Sequence, residues 1–106
     1  MLPEITVREL ETKLKSPNPP IIIDVRDADE FAFCRIEGAQ HKPLMLIATW
    51  AKELDPEAEI VLQCHVGGRS AQATMYLQRL GFKHVYNLRG GIDAWALQVD
   101  PDVERY

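Results

Sequence analysis

Apolar positions along the chain follow two different spacings. The runs 21–25 and 60–63 are apolar with little polar alternation, which is typical of strands covered on both faces. Apolar residues at helical spacing predict helices over 7–15, 46–54 and 70–80. The polar stretch 27–30 can cap a short helix that carries Phe31, and the turn 89–91 leads into a last helical segment through Trp95. Shorter strands are predicted around 40–41 and over 84–87. Strands that alternate with helices predict an α/β fold with a mainly parallel sheet and helices on both faces.

The composition fits one domain of ordinary size. The chain has 106 residues and 46 % hydrophobic content, so we expect a single domain over 1–106 in which 98–106 forms a polar tail. The formal net charge of -4 offers no basic face for nucleic acid or an anionic membrane. There is neither an apolar run of membrane length nor a secretory signal, and we expect a cytoplasmic protein.

The chain has two cysteines, Cys34 and Cys64, which are far apart in the sequence. Neither belongs to a CxxC pair or to a cluster with metal-ligand spacing, so no disulfide framework, metal or other cofactor is expected. Cys34 lies between Phe33 and Ile36 without a glycine loop, and we interpret it as a structural residue. The alternative is a resolving thiol in a redox enzyme.

Cys64 opens a glycine-containing turn between an apolar strand and a helix that begins near Ser70. A lone cysteine after a buried strand is more often a small apolar filler. A filler, however, needs neither the backbone freedom of Gly67 and Gly68 nor the cation of Arg69. Loop amides and the positive end of a helix stabilise a thiolate. The pattern therefore predicts a nucleophilic Cys64.

Other polar residues are expected at the same edge of the sheet, because the carboxyl ends of parallel strands lie together. Asp24 ends one predicted strand, and the turn 89–91, which contains Arg89, follows another. Asp24 either hydrogen-bonds the loop or caps backbone, and Arg89 either binds substrate or lies on the surface. His65 either tunes the thiol or points outward. We interpret Arg26 and Glu30 as a scaffold ion pair.

Four stretches of the sequence together resemble the rhodanese-like family. They are 23–26 with 30–31, 36–39 through 43–44, 64–70, and 87–95. The resemblance implies a three-layer fold with a five-stranded parallel sheet between helices. It also implies a sulfurtransferase in which Cys64 takes a sulfane sulfur as a persulfide and passes it to a thiophilic acceptor. The main-chain amides of the loop would then cradle this sulfur; they belong to His65, Val66, Gly67, Gly68, Arg69 and Ser70.

The resemblance also suggests roles and partners. Arg69 would brace the loop or attract an anionic donor, while Asp24 and Ser70 would fix its shape. Four residues separate Cys64 from Arg69, which matches sulfurtransferases rather than the related phosphatases and arsenate reductases, whose loop has one residue more. The stretches 35–39, 67–70 and 99–106 are similar to the rhodanese domain fused to E1-like adenylyltransferases of the molybdopterin and thiamine pathways.

Several sulfur partners follow from this resemblance. Small partners would be a thiosulfate-like donor and a thiol or cyanide acceptor. Protein partners would be a sulfur-carrier protein, an E1-like adenylyltransferase or a cysteine desulfurase. Two alternative functions stay open: a non-catalytic module of the same fold that binds a partner, and a thiol redox enzyme that resembles arsenate reductases.

Overall fold

Five parallel strands form a single sheet at the centre of the computed structural model, which describes residues 1–106. The strands are β1 Glu4–Ile5, β2 Ile21–Asp24, β3 Gln40–His41, β4 Ile60–Gln63 and β5 Val85–Leu88. They lie in the order β1-β5-β4-β2-β3, and every neighbouring pair is parallel. The helices are α1 Val7–Leu14, α2 Ala28–Phe33, α3 Ile47–Trp50, α4 Gly68–Arg79 and α5 Gly91–Gln98. None of them is long and apolar enough to cross a membrane.

Each face of the sheet carries its own hydrophobic core. Side chains of successive strand residues point to opposite faces, so Val61 and Leu62 of β4 belong to different cores. One core packs against α3 and α4 through residues such as Trp50 and Leu77. The other packs against α1 and α5 through residues such as Leu10. The prediction of a parallel sheet between two helical layers is confirmed.

Three local predictions differ from the structure. The predicted helix over 46–54 is one turn of α-helix, α3, between the 3-10 turns Leu44–Leu46 and Ala51–Glu53. The sequence pattern did not predict β1, because two residues are too few to display alternation; β1 is nevertheless paired with β5 at the edge of the sheet. Helix α4 begins at Gly68, two residues before the predicted start, because Gly67 provides its N-cap.

The sheet places β2 and β4 side by side with their carboxyl ends in register. Asp24 pairs with Gln63, and the Val25 amide donates to the Gln63 carbonyl at 3.0 Å. The residue after β4, Cys64, therefore lies at the edge where ligands collect in parallel sheets. Helix α5 starts shortly after β5 at the same edge.

Candidate active site

The Cys64 loop, residues 64–69, encloses the sulfur of its first residue. The sulfur accepts hydrogen bonds from the Gly67 amide at 3.1 Å and the Ser70 amide at 3.4 Å, and the Ser70 hydroxyl is a third available donor at 3.3 Å. Two of these donors belong to the first turn of α4, a helix of 12 residues whose amino terminus is the positive end of its dipole. Of the six amides that the family resemblance implies, those of Gly67 and Ser70 donate to the Cys64 sulfur.

A left-handed glycine brings these donors to the sulfur. Gly67 has φ +117°, a conformation that L side chains rarely adopt, and it is the N-cap of α4. From this position its amide points back to Cys64, and its carbonyl accepts from the Ala71 amide at 3.1 Å. Glycine at position 67 thus reverses the chain without strain.

Two carbonyl groups of the loop, those of Cys64 and His65, accept hydrogen bonds from the start of α5. The Ile92 amide donates to the Cys64 carbonyl at 2.9 Å, and the Asp93 amide donates to the His65 carbonyl at 3.1 Å. The two backbones approach so closely that a Cβ at Gly91 would collide with both carbonyl oxygens. Position 91 therefore requires glycine. The hydrogen bonds from the Ile92 and Asp93 amides fix the direction of the two loop carbonyl groups.

The Ser70 hydroxyl lies between two acceptors. It is 3.3 Å from the Cys64 sulfur and 2.5 Å from Oδ1 of Asn87, a residue of β5. One hydroxyl carries one proton, so it donates either to the amide oxygen or to the sulfur. The Asn87 amide nitrogen also donates to the Gly67 carbonyl at 3.2 Å. The sequence did not single out Asn87, because only the pairing of β4 with β5 brings it under the loop.

Arg69 is held on the outer side of the loop by Glu30. Its two terminal nitrogens meet the two carboxylate oxygens at 2.6 and 3.0 Å, a bidentate geometry. Hydrogen bonding to Arg69 is the main reason why the pKa of Glu30 is lowered from 4.5 to about 2. The guanidinium is therefore already neutralised, and it braces the loop. The sequence-based pairing of Arg26 with Glu30 was wrong.

Arg26 pairs instead with Asp24, and both side chains are fully buried. The guanidinium donates to the two Asp24 oxygens at 2.7 to 3.1 Å, and the carboxylate also accepts from the Arg26 amide. Asp24 makes no hydrogen bond to the Cys64 loop; its direct contacts fix Arg26. The mutual attraction and the multiple hydrogen bonds offset the cost of burying both charges.

Two more predicted site residues face outward. Val66 is 62 % exposed at the tip of the loop. The Arg89 side chain is exposed and lies 3.3 Å from Glu4 of β1, so the structure places it in a surface ion pair rather than against the loop. A direct contact of Arg89 with the Cys64 loop was therefore not found. Gly68 is the first residue of α4, and a Cβ added to it would meet no other atom within 4 Å.

The His65 ring stacks on Tyr106 and makes no hydrogen bond to the Cys64 sulfur. The ring centroids are 4.1 Å apart with an angle of 12° between the planes. The Tyr106 hydroxyl donates to Glu30 at 2.7 Å, so the tyrosine touches two parts of the site. Sequence reasoning missed this residue, because a tyrosine in a polar tail gives no signal of where the tail returns.

The Cys64 residue is 1 % exposed, and neither of the two surface cavities is lined by it. The larger cavity, about 340 Å³, lies between Cys34 and the tail residues 100–104. A reagent that reacts with the Cys64 sulfur therefore has to displace part of the loop or a covering side chain first.

Cys34 belongs to the core on the other face of the sheet. Cys64 belongs to the core that packs under α3 and α4. The two thiols are both free, and they lie in different layers. This placement contradicts the alternative in which Cys34 resolves a disulfide with Cys64, because that reaction needs the two sulfurs within bonding reach.

Comparison with known proteins identifies the relatives of this site. The chain is 40 % identical over 104 residues to the probable adenylyltransferase/sulfurtransferase MoeZ of Mycobacterium tuberculosis, covering 96 % of this chain and 26 % of MoeZ. It is 36 % identical over 96 residues to a sulfurtransferase of Allochromatium vinosum, covering 91 % of this chain and 90 % of that protein.

A solved structure agrees over the whole fold. The rhodanese-like domain protein from Staphylococcus aureus superposes with a TM-score of 0.86 at 30 % identity, covering 99 % of both chains. The chain spans only 26 to 37 % of the length of the curated relatives that share 40 % identity with it. The model of the rhodanese-like domain matches residues 6–98. The chain thus belongs to the rhodanese-like family, whose members include single-domain sulfurtransferases and the sulfurtransferase part of longer proteins.

Proposed function

We propose that the chain is a sulfurtransferase that carries a sulfane sulfur on Cys64 as a persulfide. The observation that supports this most directly is the set of three donors, two amides and one hydroxyl, around the Cys64 sulfur. Such donors stabilise negative charge on sulfur, and they lie in a site from which water is largely excluded. Membership in a family with sulfurtransferase members agrees with the proposal.

The reaction would proceed as two displacements at sulfur. In the first, the Cys64 thiolate attacks the outer sulfur of thiosulfate, a bond forms between the two sulfurs, and sulfite leaves with the electron pair. In the second, cyanide or a thiolate attacks the terminal sulfur, the Cys64 thiolate leaves, and thiocyanate or a new persulfide is released. No external oxidant or reductant is needed, because each step transfers a neutral sulfur atom between nucleophiles.

The loop residues would divide this work. The Gly67 and Ser70 amides are fixed donors, while the Ser70 hydroxyl can turn from Asn87 toward the sulfur when negative charge develops there. Arg69, already paired with Glu30, would hold the loop in shape rather than bind the donor directly. Because Arg69 is paired with Glu30, it offers little attraction to a small anion. The donor could therefore be a protein persulfide as well as thiosulfate.

The similarity to MoeZ, named as an adenylyltransferase and sulfurtransferase, makes sulfur-pathway proteins the proposed macromolecular partners. A sulfur-carrier protein, its E1-like activating enzyme or a cysteine desulfurase would meet the loop edge of the sheet. A cytoplasmic setting in which both thiols stay reduced is part of the same proposal.

The test is the intact mass of the protein after exposure to thiosulfate. The wild type should gain one sulfur, about 32 Da, and lose it again to cyanide with release of thiocyanate. Cys64→Ser should gain no mass, whereas Cys34→Ser, the matched control, should behave as the wild type. Loading of Cys64→Ser would overturn the site. If none of thiosulfate, mercaptopyruvate and a cysteine desulfurase adds sulfur to the wild type, the result would favour the non-catalytic partner-binding module.

A further inference from the structure

Residues 99–106, the tail, turn back from α5 toward the Cys64 loop. The Val99 and Asp100 amides both donate to the Trp95 carbonyl, at 2.8 and 2.9 Å, which reverses the chain after the helix. Val103 packs against the core, and Arg105 pairs with Asp93 in the first turn of α5 at 2.9 Å. These contacts bring Tyr106 to the loop edge of the sheet.

Tyr106 contacts the loop through its ring. The ring lies parallel to the His65 imidazole at a centroid distance of 4.1 Å, and it meets the ring of Phe33 edge-on at 6.0 Å. His65 directly follows the candidate nucleophile, so fixing this imidazole also limits the movement of the loop backbone. Stacked and edge-on aromatic pairs of this kind are favourable beyond the area that they bury.

The Tyr106 hydroxyl makes a second connection. It accepts from Nη1 of Arg26 at 2.9 Å and donates to Oε2 of Glu30 at 2.7 Å. The same Glu30 oxygen accepts from Arg69 at 3.0 Å. A continuous set of hydrogen bonds therefore runs from the buried pair of Asp24 and Arg26, through Tyr106 and Glu30, to the last residue of the loop. One hydroxyl joins the rigid end of β2 to the Cys64 loop.

We propose that Tyr106 is a positioning residue for the Cys64 loop: its ring holds His65, and its hydroxyl holds Glu30 against Arg69. This inference rests on the proposed function, since it concerns the loop that would carry the sulfur. The tail lies outside the matched part of the family model, which ends at residue 98, so the contact is an addition to the matched domain. Because Cys64 is 1 % exposed, the stability of the loop also controls access to its sulfur.

The experiment uses the full chain in a Cys34→Ser background, so that Cys64 is the only thiol. Tyr106→Phe keeps the ring and removes the hydroxyl, and Tyr106→Leu removes both contacts. Tyr86→Phe is the control. It removes a tyrosine hydroxyl from β5 at a position nearer the amino end of the strand, away from the loop edge. The measurements are the NMR shifts of the His65 ring protons, the rate of Cys64 alkylation by iodoacetamide at alkaline pH, and the turnover from thiosulfate to cyanide.

In Tyr106→Leu, the His65 ring protons should lose the ring-current shift that stacking causes, and alkylation should be faster by about tenfold because the loop opens more often. In Tyr106→Phe, the His65 shift should persist, while alkylation rises by about threefold, the effect of one hydrogen bond. Turnover should fall in both variants, and it should fall further in Tyr106→Leu than in Tyr106→Phe. Tyr86→Phe should match the wild type in all three measurements.

Unchanged His65 shifts or unchanged alkylation in Tyr106→Leu would overturn the inference. If the leucine variant does not fold, an unchanged alkylation rate in Tyr106→Phe would overturn it instead. The first two measurements do not depend on sulfur transfer. A wild type without turnover therefore contradicts the proposed function alone, whereas an active wild type whose Tyr106 variants are indistinguishable from it contradicts the positioning role alone.

Discussion

Cys64 and Cys34 are both buried, at 1 % and 7 % exposure, but their surroundings differ in kind. The sulfur of Cys64 accepts from two main-chain amides and a hydroxyl at the start of a helix. The sulfur of Cys34 has one polar contact, Nη1 of Arg26 at 3.7 Å, and otherwise lies in an apolar core. Burial alone therefore does not separate the two thiols; the number and direction of their hydrogen-bond donors do.

The charges near the two thiols differ as well. The cation beside Cys34 belongs to a fully buried pair in which Arg26 also donates to the Cys34 carbonyl at 2.6 Å. The cation beside Cys64 belongs to a pair at the surface, with Arg69 36 % exposed. Charge near Cys34 therefore supports the fold, whereas charge near Cys64 supports the shape of a loop.

The largest expected effect concerns the charge beside Cys34. Arg26→Met leaves the Asp24 carboxylate buried and unpaired, so the free energy of unfolding should fall by about 3–5 kcal/mol. Arg35→Met is the matched control: Arg35 is an exposed cation that donates to the Phe31 carbonyl, and its loss should cost less than about 1 kcal/mol. Urea unfolding followed by circular dichroism measures both. Equal costs would contradict a structural role of the buried pair.

The next effect concerns the backbone of the Cys64 loop. Gly91→Ala places a methyl group against the Cys64 and His65 carbonyls, whereas Gly38→Ala, the control, meets nothing within 4 Å. Both glycines have positive φ, so the two variants share a backbone strain of about 1–2 kcal/mol. Displacement of the loop should add about 1–3 kcal/mol and lower turnover by about 10- to 100-fold in Gly91→Ala only. Full turnover in this variant would mean that the loop position is not critical.

A smaller effect should follow from removal of one donor to the Cys64 sulfur. Ser70→Ala retains the Ser70 amide but loses the hydroxyl, and turnover should fall by about tenfold, as for one hydrogen bond to a charged group. Thr74→Ala is the control, because the Thr74 hydroxyl lies one turn further along α4 and donates to the Ser70 carbonyl at 2.8 Å. Both rates are measured per folded molecule. A similar loss in the two variants would assign the effect to helix stability.

The smallest effect concerns the ion pair that braces the loop. The pKa of Glu30 is lowered from 4.5 to about 2, mainly by Arg69 and also by Tyr106 and the Asp27 amide. Because the folded pKa lies below the unfolded one, the stabilisation is complete above about pH 4.5 and is lost as the pH falls toward 2.

Glu30→Gln removes this pH dependence. Its deficit in unfolding free energy should be about 1 kcal/mol near neutral pH, a figure reduced for the partial exposure of Arg69, and should shrink as the pH falls below about 4. Urea unfolding at a series of pH values measures the difference between wild type and variant. A deficit that stays constant down to about pH 2.5 would mean that the carboxylate charge does not brace the loop.

Much of the fold was predictable from local patterns. The apolar runs that form β2 and β4 and the helical spacing that forms α1 and α4 are each visible in a short stretch of sequence. β1 was missed because two residues display no period, and its place in the sheet depends on β5. The predicted helix over 46–54 is shorter than its apolar spacing indicated, because 3-10 turns replace its ends.

For the candidate site, the sequence by itself determined which thiol is enclosed by amides. A cysteine at the end of a strand, two glycines and the start of a helix are neighbours along the chain, so local geometry is enough to direct Gly67 and Ser70 at Cys64.

The tertiary structure alone decided which distant side chains support that loop. Asn87, Glu30 and Tyr106 lie 20 or more residues from their contacts in the loop, and only the folded chain brings them there. A charged or polar side chain pairs with the group that lies nearest after folding. The spacing of residues along the sequence does not predict that distance. For this reason the partner of Arg69 is Glu30, a residue of α2 that lies 39 positions earlier in the sequence.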